Sequence, residues 1–162
     1  MSIIKRSILS NEKIIFKDEG RVIIMEMTFK EMLNAIDGEV IVQKEEANFN
    51  KLCIDTRKVE KDNVFLAIKG ANFNGNDFAI KALESGASVA IIDEVKFDEQ
   101  DAQGKGTIIK VKNTREALLN LAKFYREKLG LKVVGVTGST GKTSTKDLIA
   151  ALLSDKYKVF KT

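Results

Sequence analysis

The run Lys132-Val133-Val134-Gly135-Val136-Thr137-Gly138-Ser139-Thr140-Gly141-Lys142-Thr143-Ser144-Thr145 sets the class of this chain. An apolar, β-branched segment leads into a glycine-rich turn. The turn leads into Lys-Thr and then into the helical pattern Lys146-Asp147-Leu148-Ile149-Ala150-Ala151-Leu152-Leu153. Strand, glycine loop and helix in that order are what a phosphate-binding loop requires. Gly138 and Gly141 let the backbone turn tightly and approach phosphate oxygens. Free N–H groups at a helix start face an anion, and the helix dipole favours negative charge there. In this reading Lys142 reaches the β- and γ-phosphates and the Thr143 hydroxyl sits on Mg²⁺. The general pattern places a glycine where this chain has Val136, and Gly135 comes one residue too early. The plainer alternative is a glycine-rich strand-to-helix turn with a surface lysine.

The chain has 162 residues, enough for one ordinary domain or two small ones. With 44% hydrophobic and 31% charged residues it reads as a globular protein, and no apolar run approaches bilayer length. The net charge of +4 suits anionic substrates such as nucleotides. Basic clusters interleaved with aromatics are missing, which disfavours nucleic acid. Cys53 is the single cysteine, so no intrachain disulfide is possible and a reducing, cytoplasmic setting is expected. Histidine is absent, which excludes an imidazole base, a Ser-His triad and a His-ligated zinc site within the chain.

Upstream of the loop, Ile14–Phe16 and Val22–Ile24 suit two short strands or a weakly ordered arm, and residues 1–24 are taken as an arm. Thr28-Phe29-Lys30-Glu31 is a capping box, with Met27 and Met32 placed as a hydrophobic staple and Gly38 as the helix stop. Strands are expected at Val40–Val42, Lys51–Asp55, Val64–Ile68, Ser88–Asp93 and Thr107–Val111, and a further one begins at Lys158. Asn76 or Asp77 is expected to cap a helix ending near Gly86. Asn113 is expected to cap a longer one with Leu118, Leu119, Leu121, Ala122, Phe124, Tyr125 and Leu129 on its apolar face.

Several of these stretches together resemble the Mur ligase family of peptidoglycan synthesis. Met27–Met32 looks like the family's opening helix, and Asp55-Thr56-Arg57 matches its D-[ST]-R motif. Val64–Gly70 is similar to its F-A-L-K-G strand, and Phe73–Phe78 to its F-D-G-H-D-F loop. Val136–Lys146 matches its ATP loop, glycine spacing included. Asn74 and Asn76 stand where the family more often has Asp and His. The resemblance runs from about Met25 to Thr162 and leaves residues 1–24 outside.

The resemblance implies an α/β chain. Residues 25–112 would form a small N-terminal domain holding a UDP-sugar, and residues 113–162 would start a central ATP-binding domain of a longer, three-domain enzyme. It implies ATP and Mg²⁺, with Gly138, Ser139, Thr140, Gly141, Lys142, Thr143 and Ser144 around ATP, Lys142 catalytic and Thr143 on the metal. Asp55, Thr56, Arg57, Lys69, Gly70 and Asn74 would face the UDP substrate. Lys146 and Val159–Thr162 tilt the choice toward the branch that joins D-alanyl-D-alanine to UDP-N-acetylmuramoyl tripeptide through an acyl phosphate, as a cytoplasmic monomer. The 162-residue chain alone is expected to be inactive. Two alternatives stay open: another phosphate-loop protein, or a non-catalytic module that binds a UDP ligand.

Overall fold

A computed structural model describes residues 13–18, 21–44, 49–130 and 132–161. Strands β1 (Lys13–Asp18) and β2 (Arg21–Glu26) pair antiparallel, with Ile15 opposite Ile24 and Phe16 opposite Ile23. The arm expected for residues 1–24 is therefore a hairpin over its second half, because apolar residues on both segments fall into register. Residues 1–12 lie outside the described residues.

Helix α1 (Phe29–Ala35) follows, and its capping box forms as expected. The Thr28 hydroxyl accepts from the Glu31 N–H at 3.2 Å, and Glu31 Oε2 accepts from the Thr28 N–H at 2.8 Å. Met27 and Met32 are both buried. The stop differs from expectation. Asp37 carries the left-handed conformation, with φ 50°. Gly38 is needed for space instead, since a Cβ there would lie 2.6 Å from Ile109 Cγ2.

The sheet contains β3 (Glu39–Val42), β4 (Lys51–Cys53), β5 (Asn63–Leu66), β6 (Val89–Ile92) and β7 (Thr107–Lys110). Their spatial order is β3-β7-β6-β5-β4, parallel except for the antiparallel edge strand β3. Helix α2 (Ala79–Glu84) connects β5 to β6, α3 (Glu99–Ala102) connects β6 to β7, and α4 (Thr114–Lys128) follows β7. Strand alternation sorts the core onto two faces. Val64, Leu66, Val89, Ile91 and Ile109 join Met32, Ile36, Ala117 and Leu121 in one cluster. Phe65, Ala90, Ile92 and Ile108 join Ala79, Ala82, Leu83 and Ala102 in the other. Burial on both faces explains why these strands read as continuous apolar runs.

The apolar stripe of α4 is narrower than the sequence suggested. Thr114, Ala117 and Leu121 are buried and recur at helical spacing, while Leu119 and Leu129 are exposed. The sequence suggests a domain boundary between 112 and 113. In the structure α4 contributes to the core just described, and the compact units part between Leu129 and Gly130.

The second unit holds α5 (Lys142–Ser154). The strands expected over 132–136 and from Lys158 are not formed among the described residues. A strand is defined by its ladder partner, and no described segment pairs with either stretch.

Candidate functional site

The parallel strands β4, β5 and β6 all end at the same edge of the sheet, and the residues that follow them carry most of the candidate chemistry. Ligands of α/β sheets gather outside such carboxyl ends. After β4 the chain enters a 3₁₀ turn, Thr56–Lys58, with Asp55 as its cap. Asp55 Oδ1 accepts from the Arg57 N–H at 3.1 Å and from Arg57 Nε at 2.9 Å, and Oδ2 accepts from an Arg57 terminal nitrogen at 2.8 Å. The guanidinium hydrogen bonds pull the Asp55 carboxyl down to about 2. The Arg57 side chain stays 86% exposed, so its outer donors face solvent. Cys53, at the end of β4, is buried and directs its thiol at the Asp55 carbonyl, 3.1 Å away.

After β5 comes the loop that holds Lys69, Gly70 and Asn74. The Gly70 N–H donates to the Phe73 carbonyl at 2.8 Å, and Lys69 bridges to Asn74 across the loop. Gly75 lets the loop fold back against the strand end; a Cβ there would meet backbone atoms of Ala67 and Ile68 at 2.7 Å. Asn74 Nδ2 donates to Glu94 Oε2 at 2.9 Å, and Lys69 Nζ pairs with Glu94 Oε1 at 2.8 Å. Those two donors bring the Glu94 carboxyl down to about 2. Asn74 also caps the 3₁₀ turn Gly75–Phe78, with Oδ1 accepting from the Asn76 N–H at 3.1 Å. Neither Asn76 nor Asp77 caps α2: the 3₁₀ turn capped by Asn74 leads into it, and α2 starts after Phe78 with no side-chain cap.

A buried network behind this loop went unseen in the sequence. Asn76 is 1% exposed. Its Nδ2 donates to Asp93 Oδ1 at 2.7 Å, and its Oδ1 accepts from the N–H groups of Asp93 and Glu94. Asp93 Oδ2 accepts from the Thr114 N–H and hydroxyl, each at 3.1 Å. Arg115 donates to the Lys69 carbonyl at 2.8 Å. The ends of β5 and β6 and the start of α4 are thus tied together. The available signal was Asp93, an acid closing a wholly apolar strand.

In the second unit the glycine loop stands by itself. Gly138 has φ 152° and Gly141 has φ 73°, the latter as cap of α5. The first ladder bond of the helix runs from the Thr145 N–H to the Gly141 carbonyl at 2.9 Å, so the N–H groups of Lys142, Thr143 and Ser144 precede the ladder. Lys142 Nζ turns back and donates to the Gly138 carbonyl at 2.6 Å. Ser139, Thr140, Lys142, Thr143 and Ser144 are all exposed. The helix begins at Lys142, ahead of the pattern from Lys146, which puts its start directly after the glycine loop. No group of three acidic, Cys or His side chains suited to a metal occurs among the described residues.

A parallel sheet with a polar carboxyl edge, followed in sequence by a glycine loop at a helix start, defines an α/β protein. Residues 48–126 match the family described as Mur ligase family, catalytic domain, and residues 136–162 match the Mur ligase middle domain. The chain belongs to the Mur ligase family. It is 36% identical over 140 residues to the UDP-N-acetylmuramoyl-tripeptide--D-alanyl-D-alanine ligase of Bacillus subtilis, covering 86% of this chain and 30% of that one. It is 37% identical over 129 residues to the UDP-N-acetylmuramoyl-L-alanyl-D-glutamate--2,6-diaminopimelate ligase 2 of Clostridium acetobutylicum, covering 78% of this chain and 26% of that one. Among solved structures it is similar to MurF from Acinetobacter baumannii, with TM-score 0.65 and 29% identity, covering 78% of this chain and 27% of that one. The chain thus spans about a third or less of the length of the relatives it matches.

Proposed function

We propose that this chain supplies the UDP-substrate-binding part and the ATP loop of a ligase that adds D-alanyl-D-alanine to UDP-N-acetylmuramoyl tripeptide. The observation that carries the reading is the ordered match of both segments to Mur ligase domains. Relatives of both the D-alanyl-D-alanine and the diaminopimelate type are similar to it. The D-alanyl-D-alanine branch is favoured by Lys146 and the closing Val159-Phe160-Lys161.

In this reading Arg57 presents its outer donors to the pyrophosphate or uracil, because a guanidinium fork matches such oxygens. Asp55 braces that fork, and the Thr56 hydroxyl and Lys69 stand on the same edge. Gly70 and Asn74 shape the loop that carries Lys69. Gly138, Ser139, Thr140 and Gly141 wrap a phosphate chain with the N–H groups that begin α5. Lys142 leaves the Gly138 carbonyl to neutralise the transferred phosphoryl group. Thr143 is the residue that would hold Mg²⁺, which would supply neutralisation of phosphate charge. The setting in this reading is cytoplasmic; no helix among the described residues is long and apolar enough to cross a membrane.

The test is calorimetric titration of the 162-residue chain with UDP-N-acetylmuramoyl tripeptide, the corresponding dipeptide and ATP-Mg²⁺. The tripeptide ligand should bind at least as tightly as the dipeptide, without amide product on adding D-alanyl-D-alanine. Failure of both UDP ligands to bind overturns the reading. A strong preference for the dipeptide moves it to the diaminopimelate branch.

A further inference from the structure

We infer that β2 is a self-association edge: β2 of one chain pairs antiparallel with β2 of a second copy and closes a dimer. The hairpin that carries it lies ahead of the residues matched to the family, 48–126 and 136–162. The inference is therefore independent of the proposed reaction, and it departs from the monomer that the resemblance implies. Among the described residues β2 has one ladder partner, β1. In an antiparallel ladder alternate residues turn their N–H and C=O groups away from the partner, so β2 offers an open row of donors and acceptors on its other side. A lone two-stranded hairpin is marginal in water and gains stability from further strands. β1 is the strand of the pair that approaches β4, which leaves β2 as the open edge.

The other edges carry devices that discourage pairing. β3 opens with Glu39 and breaks its register between Val40 and Val42. β4 has three residues and begins at Lys51. β1 has Lys17 within it. β2 has none of these: Val22, Ile23, Ile24 and Met25 are all apolar, and its register is unbroken. An edge of this kind is a template for another strand.

The occupant is a second copy because the sequence of β2 complements itself. Arg21 stands at one end and Glu26 at the other. Two copies meeting antiparallel set each basic end near an acidic end, and the four apolar residues of one beside those of the other. A parallel meeting would set like charge beside like. Opposite charges across a ladder stabilise it, and like charges weaken it. The assembly is closed. Its sheet runs β1, β2, then β2 and β1 of the second copy, and β1 of each copy lies toward its own β4, so growth stops at two.

The experiment is sedimentation of the 162-residue chain from low-micromolar to submillimolar concentration. The native chain should pass from monomer to dimer and go no further. Ile24→Lys places a charge in the apolar run of both copies. It should weaken the dimer about tenfold or more, with the thermal midpoint of the first unit unchanged. Arg21→Glu and Glu26→Arg each give the strand two ends of one sign, so each variant alone should dimerise less well than the native chain. Mixed together they should form the hetero-pair, since every end then meets its opposite. A hairpin that had merely unfolded would not recover on mixing. Amide exchange in the native chain should slow at alternate residues of β2 only at concentrations where the dimer forms. A native chain that stays monomeric throughout overturns the proposal, as does a dimer that Ile24→Lys leaves intact. Open-ended growth overturns the closed pair, and lack of recovery on mixing overturns self-complementary pairing.

Discussion

The Asn76 amide and the Asp93 carboxylate meet at 2.7 Å behind the sheet edge, where Asn76 is almost fully buried. One amide satisfies a carboxylate oxygen, two backbone N–H groups and Asn74 at once. Removing it strands several buried polar groups together. Asn76→Ala should destabilise the first unit by about 2–3 kcal/mol, since each unsatisfied buried group costs about 1–3 kcal/mol. Urea denaturation followed by circular dichroism measures this, and a loss under half a kcal/mol would show that water replaces the amide.

Gly75→Ala should act through space alone. The added methyl would meet the Ala67 and Ile68 backbone at 2.7 Å, and backbone cannot give way as a flexible side chain does. An overpacking cost of about 1–3 kcal/mol is expected, with altered amide shifts confined to Ile68–Asn76. Unchanged shifts and stability would mean that the loop has room to move.

Arg57→Ala should weaken UDP-ligand binding about ten- to hundredfold without changing the thermal midpoint, because the charge-assisted contacts lie on an exposed turn. Arg57→Lys should restore only part, as a point charge cannot reproduce the fork. Lys142→Ala should leave UDP binding unaltered. Calorimetric titration of the three variants decides it, and unchanged affinity in Arg57→Ala would return Asp55-Thr56-Arg57 to a structural turn.

Asp55 and Glu94 both titrate near 2 in the folded chain, held down by Arg57 and by Lys69 with Asn74. Their ordinary values lie near about 4. A depressed folded value means that whatever these exposed pairs add to stability, too little to move a thermal midpoint, is complete above about pH 4 and is lost as pH falls through 2. Side-chain carboxyl carbon shifts should show midpoints near 2 for both residues in the native chain. In Arg57→Ala the Asp55 midpoint should rise toward 4 while Glu94 stays put. A native Asp55 midpoint near 4 would mean that the ion pair is open in solution.

Deleting residues 1–24 should shift the thermal midpoint by no more than a degree or two. β1 and β2 pair with each other and share no ladder with the five-stranded sheet, and Met27, which is in the core, is kept. A loss of several degrees would show that the hairpin shields β4, which β1 approaches.

What could be read from the sequence was whatever is local. The Thr28–Glu31 box, the Asn113 cap and the buried strands after Asn63 and Ser88 each depend on neighbours a few residues away. What could not be read needed distant partners. Residues 132–136 have the composition of a strand, but composition does not supply a ladder. Asp37 rather than Gly38 takes the left-handed turn, and Gly38 is needed because Ile109, far along the chain, claims the space where a Cβ would go. The work of Asn76 was hidden because Asp93 is 17 residues away. In the candidate site, Arg57 and Lys142 were visible as residue types. That Arg57 is already gripped by Asp55, and Lys142 by the Gly138 carbonyl, was not.

Arg115 reaches from the first turn of α4 to the Lys69 carbonyl, on a loop that belongs to a different strand. That bond ties the Lys69 loop to the helix before any ligand arrives. A visitor to such an edge surrenders its own freedom but asks little of its host, so the entropy of association falls almost wholly on the ligand. Affinity here would then respond more to stiffening the ligand than to stiffening the protein.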